Sequence, residues 1–197
     1  MGRARVIDRQ AVLDAAERVV ARAGAAHLTL DAVAAEAGIS KASVIYDYKT
    51  KNALIKAVIE RAVARHTARL AEYVERQPAG PDRAMRGRLA ACAARSVSDA
   101  ERSVALSLIA ALAGNPELRE VIAEAYRAQM AEAVAGSRDP RRTRLAFLAL
   151  EGLTLTERFG FHAWPPAERE RLLDDIGGML SDGWDDAPQG NNDPLTS

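Results

Sequence analysis

Apolar residues recur along most of this chain at the three- and four-residue spacing of one helix face, and β-branched runs are scarce. Val12, Leu13, Ala16, Val19 and Val20 form one such stripe. It predicts a first helix from about Asp8 to Ala23, ended by Gly24 just past the last turn. Residues 1–7, with Arg3 and Arg5, read as a flexible basic arm. Two short helical segments follow, at about 30–37 and 41–47. Leu54, Ile55, Val58, Ile59, Ala62 and Val63 then mark the buried side of a long helix, Lys51 to about Arg76. At ~1.5 Å per residue that rod would span roughly 35–40 Å.

The stretch Gln77-Pro78-Ala79-Gly80-Pro81 is the clearest break in the pattern. Beyond it the spacing predicts helices at about 82–98 and 100–113. Gly114-Asn115-Pro116-Glu117 combines a capping Asn, a Pro at the first helical position and a Glu in the first turn, so it opens a helix at about 116–134. A turn at 136–140 leads to a helix at about 140–159. The last helix, about 166–182, is opened by Pro165-Pro166. Residues 185–197 are polar and rich in Pro, Gly and Asn, which predicts a disordered tail. No internal repeat is visible. The expected fold is all-α with about nine helices: a three-helix unit at 1–50, a larger helical unit at 51–184, and the tail.

The segment TLDAVAAEAGISKASVIYDYKTKNAL, residues 29–54, carries the most information. It reads as helix, glycine turn, second helix and the start of a third, the arrangement of a helix-turn-helix DNA reader. Thr29, Ser40 and Thr50 each stand where a side-chain oxygen can cap the helix that follows. Gly38 stands at the sharp turn. Ile39 and Val44 point inward, and Lys41, Ser43 and Tyr46 can point out toward a groove. Lys51 opens a helix whose free N–H groups suit a phosphate. Lys41 and Ser43 are the expected base-edge contacts.

At this point the run GISKASVIYDYKTKNAL, preceded by DRQAVLDAAERVVARAG, resembles the DNA-binding domain of TetR-family transcriptional regulators. The family pattern is roughly a Gly, an apolar residue, Ser, a variable residue, Gly or Ala, Ser or Thr, an apolar residue, an aromatic pair, Phe, and Ser-Lys. The resemblance covers about the first third of the chain. Ile45 departs from it where the first aromatic usually stands, which bears on base preference. Tyr48 and Lys49 replace Phe and a Pro or Gly, and Tyr48 can still pack its ring. The expected DNA-binding residues are Thr29, Ser40, Lys41, Ala42, Ser43, Ile45, Tyr46, Tyr48, Lys49, Thr50 and Lys51. The resemblance implies a homodimer with a palindromic operator and a pocket in the helical body whose occupancy changes the spacing of the two heads. It further implies that the last two helices form a four-helix bundle across the dimer axis.

The formal net charge is zero, with 27 basic and 27 acidic side chains, so the whole-chain balance is silent about nucleic acid. Its distribution is not. Residues 1–65 hold 11 Lys and Arg against 7 Asp and Glu, leaving 16 and 20 for the remainder. A basic head and an acidic body suit a protein that sets one end against phosphates. One cysteine, Cys92, excludes an internal disulfide framework and suits a reducing, cytoplasmic setting, such as that of a regulator on the bacterial nucleoid. Its readings are a buried thiol or a redox sensor. No apolar run reaches the ~18–20 residues of a membrane span.

The helix at 140–159 is apolar on most sides, with Leu145, Phe147, Leu148, Leu150, Leu153 and Leu155 around it and Ala146, Ala149 and Gly152 between. Such a helix is buried on most sides, either between its own core and a partner subunit or at the centre of a monomer. The expected dimer interface comprises Leu145, Leu148, Ala149, Gly152 and Leu153 on this helix, with Leu173 and Ile176 on the last. Expected pocket liners are Leu89, Cys92, Leu106, Ile109, Tyr126 and Met130, then Phe147, Phe159 and Trp164; each is alternatively plain core. They suit an apolar or amphipathic small molecule. Glu151 interrupts an apolar run, and it could bond a neighbouring helix, cross the interface or line the cavity.

No catalytic residues are expected. His27, His66 and His162 lie far apart without metal-ligand spacing, and no nucleophile elbow, phosphate loop or dinucleotide fingerprint is present. No cofactor is called for. The sequence reading is therefore a homodimeric, ligand-responsive DNA-binding regulator, most simply a repressor. An activator of the same fold, a small all-α enzyme and a helical adaptor are the alternatives.

Overall fold

The computed structural model of the chain describes residues 9–24, 27–94, 112 and 114–181. Among these residues there are eight α-helices and no strand: α1 (Arg9–Ala23), α2 (Leu30–Ala37), α3 (Lys41–Asp47), α4 (Lys51–Glu75), α5 (Arg83–Ala93), α6 (Pro116–Ala135), α7 (Pro140–Arg158) and α8 (Pro166–Gly178). The expected helix at about 100–113 and the tail at 185–197 lie outside the described residues, as do Leu106 and Ile109.

Helix starts follow local capping chemistry. Thr29, Ser40 and Thr50 each accept a backbone N–H from the first turn of the following helix. Asn115 accepts from Glu117 and Leu118 before Pro116, and Asp139 does the same for Arg141 and Arg142 before Pro140. The helix after the Pro/Gly break starts one residue later than the sequence suggests. Asp82 takes a left-handed conformation, φ 61°, the one non-glycine residue to do so among the described residues. Its N–H donates to the Gly136 carbonyl at 2.8 Å, and its carboxylate accepts from the Arg138 N–H at 3.1 Å and the Thr143 hydroxyl at 3.4 Å. These bonds hold a buried acid and tie the break to the α6–α7 turn.

Just upstream, α4 ends against arginine rather than solvent. The Arg83 guanidinium donates to the carbonyls of Val74, Glu75 and Gln77 at 2.9–3.1 Å, satisfying oxygens that a helix end leaves open. Gly87 on α5 faces Val74 of α4. A Cβ built at position 87 would lie 2.7 Å from the Val74 Cα and 2.5 Å from its Cγ2, so the two helices meet at the glycine backbone.

Two apolar clusters result. The first joins α1–α4: Val12, Ala16, Val19, Val33, Val44, Leu54 and Val58 are all buried, and Leu118 at the start of α6 is buried with them. The second gathers Met85, Ala133, Ala146, Phe147, Leu150, Leu153, Leu173 and Ile176 from α5–α8. Helix α6 therefore enters both clusters, with Leu118 and Val121 in the first and Tyr126, Met130 and Ala133 in the second.

Candidate nucleic-acid interface and interior site

The reading helix is held from behind and bare in front. Gly38, at φ 65°, turns the chain between α2 and α3, and the Ile39 N–H returns to the Ala34 carbonyl at 3.0 Å. Val44 is fully buried, and Tyr48 packs its ring inward with 8% of its surface exposed. Burial pushes the Tyr48 phenol above its ordinary pKa. On the opposite face Tyr46 is 82% exposed, and Ile45, Ala42 and Lys41 are exposed beside it. Thr29, Ser40, Lys49 and Thr50 are also exposed, while Lys51 is half-buried.

Two of the expected base-reading side chains already have intramolecular partners. The Lys41 ammonium lies 2.8 Å from the Asp31 carboxylate on α2. The Ser43 hydroxyl is 2.8 Å from that of Ser40, whose oxygen also caps the Ser43 N–H at 3.1 Å. Among the described residues Tyr46 has no such tie, so its exposed phenol is the group presented most freely there.

Ion pairs lock this unit together. Glu36 of α2 accepts from Arg18 and Arg22 of α1, both at 2.8 Å, and these hydrogen bonds hold its carboxyl below the usual carboxylate range. Arg61 of α4 reaches Asp14 at 2.7 Å and Glu17 at 2.9 Å on α1. Asp47, at the end of α3, accepts from Arg9 at 3.1 Å; its other oxygen is buried without a hydrogen bond. Asp31, Glu36 and Asp47 escape a sequence reading, because their partners lie on other helices.

In the body, Leu89, Cys92, Tyr126, Met130, Phe147 and Trp164 come together in the second apolar cluster, an arrangement that serves plain core as well as a pocket wall. Phe159 does not join them; its ring lies tilted at 45° against that of Phe161, 5.8 Å between centroids, and Phe161 is 76% exposed. Burial raises the Cys92 thiol above its ordinary pKa, although the Arg169 guanidinium donates to its sulfur at 3.4 Å. Leu153, Leu173 and Ile176, expected at a subunit interface, are instead buried in the second cluster. One face of α7 turned inward accounts for this, because Leu153 lies on the same side as Phe147 and Leu150. Leu145, Leu148, Ala149 and Gly152 stay exposed on the other side.

Sequence reading also misses Arg88. It is buried on α5, with its guanidinium 4.3 Å from the centroid of the Phe147 ring. It donates to Glu151 of α7 at 2.6 Å and to the Gln129 side chain of α6 at 2.8 Å. The Tyr126 ring meets the Phe147 ring edge-on at 5.2 Å. Burial, with the Glu151 charge adding to it, raises the Tyr126 phenol. A cavity of about 270 Å³ opens elsewhere, where Asp82, Arg138, Asp139 and Arg142 meet Met179 and Ser181, and none of the expected liners reaches it. Among the described residues no helix is long and apolar enough to cross a membrane.

A capped, exposed reading helix on an ion-paired three-helix base, joined to an apolar helical body, defines a helix-turn-helix DNA-binding regulator. The model for bacterial regulatory proteins of the tetR family matches residues 12–58, and that for the tetracyclin repressor-like C-terminal domain matches residues 82–181. The chain belongs to the TetR family of transcriptional regulators. No curated protein matches it significantly. Among solved structures it is similar to the proposed transcriptional regulator SCO7518 of Streptomyces coelicolor A3(2), at 23% identity and TM-score 0.72, covering 88% of this chain and 98% of that one. It is also similar to SCO1917, a TetR-family member from Streptomyces coelicolor A3, at 25% identity, TM-score 0.67 and the same coverage. A third similar structure is the multidrug binding protein EbrR complexed with malachite green, at 26% identity and TM-score 0.64, again covering 88% and 98%.

Proposed function

We propose that the protein acts in the cytoplasm as a homodimeric repressor that leaves its operator when a small apolar or amphipathic molecule enters the body. Residues 1–50 read DNA, and residues 51–184 sense the effector and dimerise. Each α3 lies in a major groove of a palindromic site, the two about one helical turn, roughly 34–36 Å, apart. Tyr46, Lys41 and Ser43 face the bases, and the α4 N-terminus at Thr50 and Lys51 meets a phosphate. A bound small molecule acts by favouring one angle of α4 over another. The ligand complex of EbrR supports a small-molecule response.

The observation that carries this reading is the outer face of α7. Leu145, Leu148 and Leu155 are 48%, 54% and 38% exposed, with Ala149 and Gly152 exposed among them, on a helix whose other face is core. A contiguous apolar face of this kind marks an interface. Gly152 offers a clean test, because nothing lies within 4 Å of a Cβ built there. Gly152→Leu leaves the protomer intact and gains roughly 1 kcal/mol of helix propensity. The expected result is a monomer by light scattering with native circular dichroism and no operator binding. A normal dimer that still binds DNA would refute the assignment. Genomic footprinting with the purified protein identifies the operator.

A further inference from the structure

Arg88 is the least expected side chain in the body. A guanidinium is rarely buried unless its donors are met. Two of its nitrogens are met: Nη1 by Gln129 and Nη2 by Glu151. The third, Nε, is buried and has no hydrogen-bond partner among the described residues. A buried ion pair is also weak evidence for stability, since apolar residues of similar volume commonly serve as well or better. The pair therefore calls for a role other than holding the fold.

Geometry narrows that role. The Nε and Nη2 edge of a guanidinium presents two parallel N–H groups, suited to two acceptor oxygens. Here Glu151 fills only the Nη2 half of it. The unmet Nε is buried, and the guanidinium carbon lies over the Phe147 ring of the apolar cluster, so an acceptor suited to it is an oxygen carried on an apolar frame. Glu151 keeps a fifth of its side chain exposed while Arg88 keeps 8%, so a ligand has to enter past Glu151 to meet the buried Nε. Charge narrows the role further. Arg88 and Glu151 already balance one another. A carboxylate entering beside Glu151, or an ammonium entering beside Arg88, would add an uncompensated charge to the interior. A neutral carbonyl oxygen adds none.

Resting on the effector-responsive reading above, we propose that Arg88 Nε is the recognition donor for a neutral apolar molecule bearing a carbonyl oxygen, such as a ketone or ester. Glu151 and Gln129 fix the guanidinium so that this N–H faces the ligand.

The test uses three eight-carbon probes, 2-octanone, octanoate and octylammonium, titrated calorimetrically into the full-length protein. Wild type is expected to bind 2-octanone in preference to both charged probes. Arg88→Lys keeps the cation and removes Nε. Arg88→Met with Glu151→Leu removes the pair without orphaning a charge, and either variant is expected to weaken 2-octanone binding about 10- to 100-fold, the range for a hydrogen bond to a charged donor. If the double variant does not fold by circular dichroism, Arg88→Lys decides. Failure of wild type to bind 2-octanone, preference for a charged probe, or unchanged ketone affinity in a folded variant overturns the proposal. Operator binding is followed in parallel by fluorescence anisotropy. Arg88-dependent ketone binding that leaves the operator complex intact would uphold the site and defeat the release mechanism. Release caused by a charged probe would uphold the mechanism and defeat the site.

Discussion

Replacing Gly87 with alanine sets two effects of opposite sign against one another. In an exposed helix interior the change would stabilise, by roughly 1 kcal/mol, because alanine loses less backbone freedom on folding. In α5 the new methyl would stand 2.7 and 2.8 Å from the Val74 Cα and N, which are backbone atoms of α4 rather than the tip of a flexible side chain. Ordinary carbon contacts are about 3.5–4.0 Å, so α5 has to move away by on the order of 1 Å. Overpacking of this kind costs about 1–3 kcal/mol, and a backbone neighbour places it at the upper end, about 3 kcal/mol. The net expectation is a destabilisation of about 2 kcal/mol. For a chain of this size that lowers Tm by roughly 4–8 °C. The assay is thermal unfolding followed by circular dichroism, with both proteins at one fixed concentration, since the Tm of any self-associating protein depends on concentration. An unchanged or raised Tm for Gly87→Ala would refute the reasoning, since it would mean that α4 and α5 do not meet at this glycine.

Three further outcomes are expected. Tyr46→Ala should weaken operator binding at least tenfold with helicity unchanged, whereas Lys51→Ala should weaken all sequences about equally and lower the salt slope by about one unit, both read by anisotropy. Asp31→Asn should release Lys41 and remove a negative charge from the DNA face, raising affinity for random duplex at low salt; no gain there would mean that the 2.8 Å Asp31–Lys41 contact does not restrain binding. Glu36 is held below its ordinary pKa by Arg18 and Arg22, so its contribution is complete above the ordinary carboxylate range and is lost as pH falls through the depressed value. Acid titration of Glu36→Gln should accordingly show a shallower loss of stability below the ordinary carboxylate range than wild type, and parallel curves would contradict this.

What the sequence made legible was chiefly local. The caps at Thr29, Ser40, Thr50 and Asn115 and the turn at Gly38 depend on neighbours within a few residues, and these helix starts were placed to the residue. The inward Val44 and outward Tyr46 followed from helical spacing alone. Spacing does not say which neighbour covers a face. Spacing alone therefore points Leu153 to a subunit boundary, whereas in the fold it packs with Phe147 and Leu150 in its own protomer. Arg88 looked like any surface arginine on an amphipathic helix, because its partners sit 41 and 63 residues away. Gly87 and Asp82 were equally silent: the close approach of Val74 and the carbonyl of Gly136 exist only after folding.

The path of α6 has a consequence for how this protein can be cut and recombined. Its first turns supply Leu118 and Val121 to the cluster built by α1–α4, while its later turns belong to the body. The reading unit is thus contiguous in sequence but not self-sufficient in packing. An excised head ending near Arg76 would expose the apolar floor that Leu118 covers, and a head grafted onto a foreign body would need a substitute for that leucine. Cooperativity of unfolding should follow the helix rather than the chain boundary, so that the two clusters melt together.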